Sequence, residues 1–199
     1  MPLLESLAGS FVEPFAVSTG VVALGEIGDK TQLLALLLAA RYRKPLPIIA
    51  GIFVATLANH FAAGALGTWL TRLLDPAWLR WGLGLSFLAV ALWMLVPDRH
   101  DDDGRERRAP FGVFGITTVA FFLTEMGDKT QIATVMLAAK YDALVLVTLG
   151  TTLGMMLANV PAVLVGERAV RFVPIRWVHR AAAVVFAVIG VAVLAGAGG

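Results

Sequence analysis

The sequence predicts an all-α polytopic membrane protein, with six transmembrane helices arranged as two inverted three-helix repeats. Three observations predict this fold: an apolar composition, long runs without charge, and a charged motif that occurs twice. Of the 199 residues, 58% are hydrophobic and only 15% are charged, which is too few to cover a soluble domain of this size. No segment alternates polar and apolar residues as the strands of a barrel do. We therefore expect the chain to lie in a lipid bilayer.

Runs without Asp, Glu, Lys or Arg give the positions of the six helices. A helix needs roughly 20 mainly apolar residues to cross the hydrocarbon core of a membrane. Spans are predicted at residues 14–40, 45–71, 78–97, 110–139, 143–166 and 176–197. The first and fourth spans carry charged residues in their interior, whereas the other four are free of charge or charged only near their ends.

The polar segment PDRHDDDGRERRAP lies at the midpoint of the chain and separates the two halves. We divide the chain into a first repeat (1–97), a charged cytoplasmic linker (98–109) and a second repeat (110–199). Eleven Lys and Arg residues fall on the linker's side of the six-span arrangement and three on the other side. Positive residues concentrate on the cytoplasmic side of membrane proteins. The expected location is the cell (inner) membrane, with both termini non-cytoplasmic.

The repeat is visible in the sequence itself. Residues 24–43 and 123–142 align at an offset of 99, with eleven identities in twenty positions. Because each half contains three spans, the second half enters the membrane from the opposite side, which makes the halves an inverted repeat. This architecture is typical of secondary transporters, whose substrate site lies near the middle of the membrane where the halves meet.

Each copy of the motif places charged groups deep in a span. Glu26 follows Pro14 by 12 residues, which puts it about 18 Å into a core about 30 Å thick. A charge at that depth costs about 2.5 to 3.5 kcal/mol or more, so we expect these groups to face each other, water or an ion. On a regular helix Glu26, Asp29 and Lys30 share one face. Gly28 permits either close helix contact or local unwinding, and the sequence leaves both open.

Crossing the two motif helices is expected to bring four carboxylates together. The predicted metal and proton ligands are Glu26, Asp29, Glu125 and Asp128; the supporting residues are Lys30, Thr31, Gln32, Asn59, Lys129, Thr130, Gln131 and Asn159. When all are ionised, the four carboxylates and two lysines leave a net charge of −2, which a divalent cation neutralises. Oxygen donors suit Ca²⁺, Mg²⁺ or Mn²⁺ rather than Cu⁺ or Zn²⁺. Competition between a proton and the metal for the same oxygens is a sufficient mechanism for antiport.

Several residues near the motifs have less specific interpretations. We hypothesise that each motif lysine pairs with its own glutamate in the empty site. His60 is expected to be structural, because its repeat partner is Val160, and Met126 is expected to contribute packing. Asn59 and Asn159 are expected either to bind the ion or to bond between helices. His100 lies in the charged linker, where a run of charges is normally solvated.

The amino-acid composition excludes several other classes of protein function. The chain has no cysteine, which excludes disulfides, thiol redox chemistry and thiolate metal sites. Its net charge is only +2, with the positive residues in short loops, so it does not indicate nucleic-acid binding. No resident cofactor is expected. The expected partners are the transported ion, protons and the lipid bilayer, and a homo-oligomer is left open.

The strings EIGDKT and EMGDKT resemble the paired E-x-G-D-K-T signature of the Gdt-type family of cation/proton antiporters. That family includes bacterial manganese exporters of the MneA type and Golgi calcium/manganese transporters. The resemblance covers essentially the whole chain, and the short central loop is more like the bacterial members. It implies a transporter, with no catalytic residues, that removes Mn²⁺ or Ca²⁺ from the cytosol in exchange for protons. It also implies that Glu26, Asp29, Glu125 and Asp128 form the cation site.

Two other functions are compatible with parts of the sequence. The Gly-Asp pairs ending at Asp29 and Asp128 suggest an intramembrane aspartyl protease with a shared-proton dyad. Neither copy reads G-x-G-D, however, and the adjacent Glu and Lys have no evident use in such an enzyme. The second alternative is a membrane assembly subunit in which the charged triads only hold helices together. Stabilisation by metal separates a binding protein from such a subunit.

Overall fold

The computed structural model describes residues 2–95, 112–165 and 175–196, and all of the regular structure in these residues is α-helical. The helices are α1 (Pro2–Glu26), α2 (Lys30–Tyr42), α3 (Pro45–Leu73), α4 (Pro76–Met94), α5 (Gly112–Glu125), α6 (Lys129–Tyr141), α7 (Leu144–Val165) and α8 (Ile175–Leu194). The all-α prediction is confirmed for this part of the chain. The predicted linker at 98–109 lies outside the described residues.

Two of the described helices are long and apolar enough to cross a membrane by length and composition alone. They are α3 and the Leu144–Leu164 part of α7, and shorter apolar helices cover Gly112–Glu125 and Ala183–Leu194. The predicted spans at 14–40 and 110–139 are not single helices. Each consists of two helices separated by three residues, at 27–29 and 126–128.

A glycine with positive φ makes each of these breaks. Gly28 has φ 83° and Gly127 has φ 76°, a region that residues with a Cβ rarely adopt. The aspartates that follow are extended, with ψ 170° at Asp29 and 165° at Asp128. Of the two uses left open for Gly28, the structure shows local unwinding. The shared face expected of Glu26, Asp29 and Lys30 on a regular helix is therefore wrong.

A glycine of α3 packs against α5, the first helix of the second half, and a glycine of α7 packs against α1, the first helix of the first half. A Cβ placed on Gly51 of α3 would lie 2.9 Å from the Phe114 carbonyl oxygen of α5, and one on Gly150 of α7 would lie 2.6 Å from the Phe15 carbonyl oxygen of α1. The residues of these two contacts differ by 99 in number, which is the offset of the sequence repeat. The same close helix contact, which only a small residue permits, thus occurs once in each half.

The central helices α3 and α7 run antiparallel. Near the beginning of α3, Ile48 and Ile52 share a buried apolar cluster with Ala162, from the end of α7. Near the end of α3, a Cβ on Gly64 would lie 3.1 Å from the Thr148 hydroxyl, close to the beginning of α7. Early residues of each helix therefore lie at the level of late residues of the other.

The outside of the bundle is rich in large apolar side chains. Four tryptophans near helix ends are 51–75% exposed, namely Trp69, Trp78, Trp81 and Trp177. Tryptophan is common at the boundary between lipid and water. Leucine, valine and phenylalanine side chains are also exposed along most of the helices, as a surface that faces lipid requires.

The glycine contacts yield a stability prediction. Gly150→Ala forces α7 away from α1, so we expect a loss of about 1–3 kcal/mol in the free energy of unfolding. Gly20→Ala is the control, because a Cβ on Gly20 would meet no atom within 4 Å. Thermal unfolding in detergent, followed by tryptophan fluorescence, measures both. Equal midpoints for the two variants would contradict the proposed contact.

Candidate cation site

The two helix breaks meet inside the bundle and bring three carboxylates together. One oxygen from each of Glu26, Asp29 and Asp128 lies within 4.8 Å of the other two. Glu26 is fully buried, and the two aspartates are only 2–3% exposed. Glu26 ends α1, whereas Asp29 and Asp128 precede α2 and α6. The unwound residues thus place acidic groups from both halves around one point.

The fourth predicted ligand, Glu125, has different neighbours. Its Oε1 lies 2.7 Å from His60 Nε2, and its Oε2 accepts a hydrogen bond from the Thr56 hydroxyl at 3.4 Å. All three side chains are fully buried. Glu125 is close enough to Glu26 for their charges to interact. Glu125 therefore lies beside the three-carboxylate group, held by two residues of α3.

The lysines pair across the two halves. Lys30 Nζ lies 2.8 Å from Asp128 Oδ1, and Lys129 Nζ lies 3.9 Å from Asp29 Oδ1. The hypothesis that each lysine pairs with its own glutamate is wrong. The break removes the helical spacing that the hypothesis assumed, so each lysine begins a new helix and reaches the aspartate of the opposite motif.

The two lysines differ in exposure. The Lys30 side chain is 34% exposed, whereas that of Lys129 is 2% exposed. Lys129 Nζ also lies 5.8 Å from the centre of the Trp93 ring, a distance at which an aromatic face attracts a cation. The charge of Lys129 is therefore enclosed within the protein, while that of Lys30 lies towards the edge of the site.

The motif threonines lie inside the site. The Thr31 hydroxyl donates to Glu26 Oε2, and the Thr130 hydroxyl donates to Asp128 Oδ2 at 3.4 Å. Both threonines are at most 1% exposed. They add hydroxyl oxygens to a group of ligands that otherwise consists of carboxylates.

The motif glutamines stabilise the helix breaks. Gln32 Oε1 accepts from the Gly28 N–H at 3.0 Å, and Gln131 Oε1 accepts from the Gly127 N–H at 2.7 Å. Their amide groups reach the other half, where Gln32 donates to the Ala158 carbonyl at 2.9 Å. The glutamines thus satisfy backbone groups that the unwinding exposes and connect the repeats.

The two asparagines are not equivalent. Asn59 Nδ2 donates to the Phe122 carbonyl at 3.0 Å, and Asn59 Oδ1 accepts from Gln131 at 3.5 Å. Asn159 Nδ2 donates to the carbonyl of Met155 in its own helix at 3.0 Å, and Asn159 Oδ1 has no hydrogen-bond partner among the described residues. Asn59 therefore bonds between helices, whereas Asn159 retains an acceptor.

Sequence reasoning missed the contact between His60 and Glu125. Val160 at the matching position of the repeat argued against a specific role for His60. The presence of an ionisable residue inside an apolar span argued for one. Met126 is 57% exposed, so the packing role expected of it is wrong. His100 and the side chain of His179 fall in parts of the chain that the structure does not describe.

The arrangement is suited to a hard divalent cation. Carboxylate and hydroxyl oxygens are the ligands that Ca²⁺, Mg²⁺ and Mn²⁺ prefer. Among the described residues, Glu26, Asp29 and Asp128 are the group of acidic side chains close enough to share one ion. The lysines compensate only part of the negative charge, so a bound cation relieves the remaining repulsion.

Comparisons with known proteins agree with this chemistry. The model of the GDT1 family, described as a divalent cation/proton antiporter, matches residues 14–102 and 113–199. A protein of Vibrio cholerae named "Putative manganese exporter" is 52% identical over 178 residues, which cover 89% of this chain and 88% of that protein. "GDT1-like protein 5" of Arabidopsis thaliana is 26% identical over 92% of this chain and 96% of its own length. No solved structure matches the chain.

The difference in lysine burial yields a prediction. Lys129→Met removes a countercharge from buried Asp29 at a place that solvent does not reach, and breaking such a buried pair typically costs about 3–5 kcal/mol. We expect it to lower the thermal unfolding midpoint of the metal-free protein more than Lys30→Met does, because water can replace the partly exposed Lys30 ammonium group. A divalent cation should restore more stability to Lys129→Met than to the parent protein. Equal losses in the two lysine variants, without restoration by metal, would contradict the pairing.

Proposed function

Because the chain belongs to the GDT1 family of divalent cation/proton antiporters, we propose that it exports Mn²⁺ from the cytosol in exchange for protons. Ca²⁺ is the second candidate ion, since the same oxygen ligands accept it. The relative from Vibrio cholerae supports Mn²⁺ by its name and its 52% identity. The family and its relatives are transporters, so the protease and assembly-subunit alternatives are set aside.

The convergence of Glu26, Asp29 and Asp128 is the observation that carries this proposal. They come from both halves and from both helix breaks, so movement of one half relative to the other alters the distances among them. Glu125 completes the proposed site from its position beside His60. A cation that binds between the halves thus responds directly to their relative arrangement.

The proposed architecture is six spans arranged as two inverted repeats around this site. Matched breaks at Gly28 and Gly127, and matched contacts at Gly51 and Gly150, support the repeat. The family model also matches as two segments that correspond to the halves. The location proposed is the cell membrane, with both termini non-cytoplasmic.

One contact supports the proposed inversion. Tyr141 Oη lies 3.2 Å from Glu13 Oε1, which puts the end of the fourth predicted span beside the beginning of the first. Six spans with an inverted second half require these two points to lie on the same side of the membrane. Burial of Tyr141 and the nearby Glu13 charge raise the pKa of its phenol, so Tyr141 remains a hydrogen-bond donor at physiological pH.

The lysines have a defined part in the proposed exchange. In the metal-free site, Lys30 and Lys129 supply positive charge to the aspartates of the opposite motifs. A divalent cation that binds these carboxylates replaces that charge, and the ammonium groups move aside. Protons compete with the cation for the same oxygens. Binding of either one thus favours release of the other, as exchange requires.

Reconstituted transport tests this function. In proteoliposomes with an imposed proton gradient, the parent protein should carry Mn²⁺ against its own gradient. Glu26→Gln and Asp128→Asn should reduce that flux to the level of empty vesicles, because each removes a carboxylate from the group. The matched control is Glu13→Gln, which changes a carboxylate outside the site. Unchanged flux in both site variants would refute the site assignment, and vesicles loaded with Ca²⁺ determine which ion is preferred.

A further inference from the structure

The interface between α3 and α7 is polar at one end and apolar at the other. The α7 stretch VTLGTT (147–152) contains three threonines, whereas the α3 stretch at the repeat offset, IIAGIF (48–53), contains no hydroxyl. Thr148 and Thr152 are each 3% exposed. At the opposite end, Ile48 and Ile52 lie in a buried apolar cluster. The repeat therefore has the same backbone contacts in both halves but different chemistry along them.

Polar atoms at the threonine end lack partners. The hydroxyls of Thr148 and Thr152, and Nδ1 of His60, have no hydrogen-bond partner among the described residues. Thr151 behaves differently, because its hydroxyl donates to the Val147 carbonyl at 2.8 Å. Buried polar groups in folded proteins normally have hydrogen-bond partners, so three groups without one in a single interface indicate an additional partner.

These three atoms follow one another in space from the end of the bundle where α7 begins towards Glu125. Thr148 lies beside Gly64. Thr152 is one turn further along α7, and His60 is one turn earlier along α3, so in antiparallel helices they occupy the same level. His60 Nε2 then lies 2.7 Å from Glu125 Oε1. From the beginning of α7 inward, the order along the interface is therefore Thr148, then Thr152 at the level of His60, then the Glu125 carboxylate.

We propose that Thr148, Thr152 and His60 bind a short file of water molecules that connects Glu125 to solvent at the end of the bundle where α7 begins. Buried water typically makes about three hydrogen bonds to groups that are otherwise unsatisfied. A Cβ on Gly64 would lie 3.1 Å from the Thr148 hydroxyl, so Gly64 brings α3 close to this threonine. Ser18 is buried and also lacks a partner, but it faces Gly150 on another side of α7 and is not part of this file.

This inference rests on the proposed function and adds to it the side of the membrane from which protons reach the site. In the proposed topology, the beginning of α7 lies on the non-cytoplasmic side, because the second half is inverted. Water there gives protons a path to the site from that side, while the apolar side chains of Ile48 and Ile52 offer water no hydrogen bonds at the other end of the interface. The proposed file thus reaches one side of the membrane, in keeping with alternating access.

Replacing threonine by valine tests the water file with little change in shape. The double variant Thr148→Val/Thr152→Val should lower the maximal rate of proton-driven Mn²⁺ flux about tenfold, equivalent to about 1.4 kcal/mol. The half-saturating Mn²⁺ concentration and the thermal stabilisation by Mn²⁺ should not change. Thr151→Val is the matched control, since its hydroxyl is already bonded to the backbone. Thr148→Ser/Thr152→Ser should retain the parental rate.

The outcomes separate this inference from the function on which it rests. Parental flux in the double valine variant, or an equal loss of Mn²⁺ affinity, would overturn the water file. Absence of proton-driven flux in the parent protein would refute the proposed function instead. In that case, a crystal structure of the parent protein grown in a lipid phase tests the file directly. Water density between the Thr148 and Thr152 hydroxyls would support it, and a dry interface would overturn it.

Discussion

The constraint on which the rest of the structure depends is that four carboxylates and the Lys129 ammonium group are buried within one apolar bundle, with Lys30 at the edge of the site. Ionised groups without partners are very costly in such surroundings. The structure places the aspartate of each motif beside the lysine of the other, at 2.8 Å and 3.9 Å. Each half therefore depends on the other for its countercharge. The glycine breaks make this exchange of partners possible, and they also aim the beginnings of α2 and α6 at the site, where helix dipoles favour negative charge.

The two halves share a motif but not an environment. Glu26 lies with Asp29 and Asp128, whereas the equivalent Glu125 contacts His60. The difference originates in α3, since the position that matches His60 in α7 is Val160. Asp128 of the second half thus joins the three-carboxylate group, whereas Glu125 of the same half lies 2.7 Å from an imidazole nitrogen of His60. Such inequality gives the proposed cation and the proton distinct surroundings in which to compete.

Sequence alone predicted an all-α fold and a doubled charged motif, because these follow from apolar composition and an internal repeat, but it did not predict that each motif span is broken into two helices. It did not predict the lysine pairing, which depends on a backbone break that Gly28 permits but does not require. The role of Gln32 was also missed, although its position four residues after Gly28 suits a bond across the break. The expectation that His60 is structural rested on its repeat partner, Val160. The contact with Glu125 depends on how α3 meets α5, which one sequence does not reveal.

The central claim is that Glu26, Asp29 and Asp128 together bind the transported cation. Anomalous X-ray scattering from crystals soaked in Mn²⁺ tests it most directly, because the signal locates the ion without reference to the surrounding density. The account predicts a peak at about 2.0–2.6 Å from carboxylate oxygens of all three residues, the range of hard cations in proteins. It also predicts that the Lys30 and Lys129 ammonium groups move away from Asp128 and Asp29. A Mn²⁺ peak elsewhere in the bundle, with both lysine pairs intact, would contradict it.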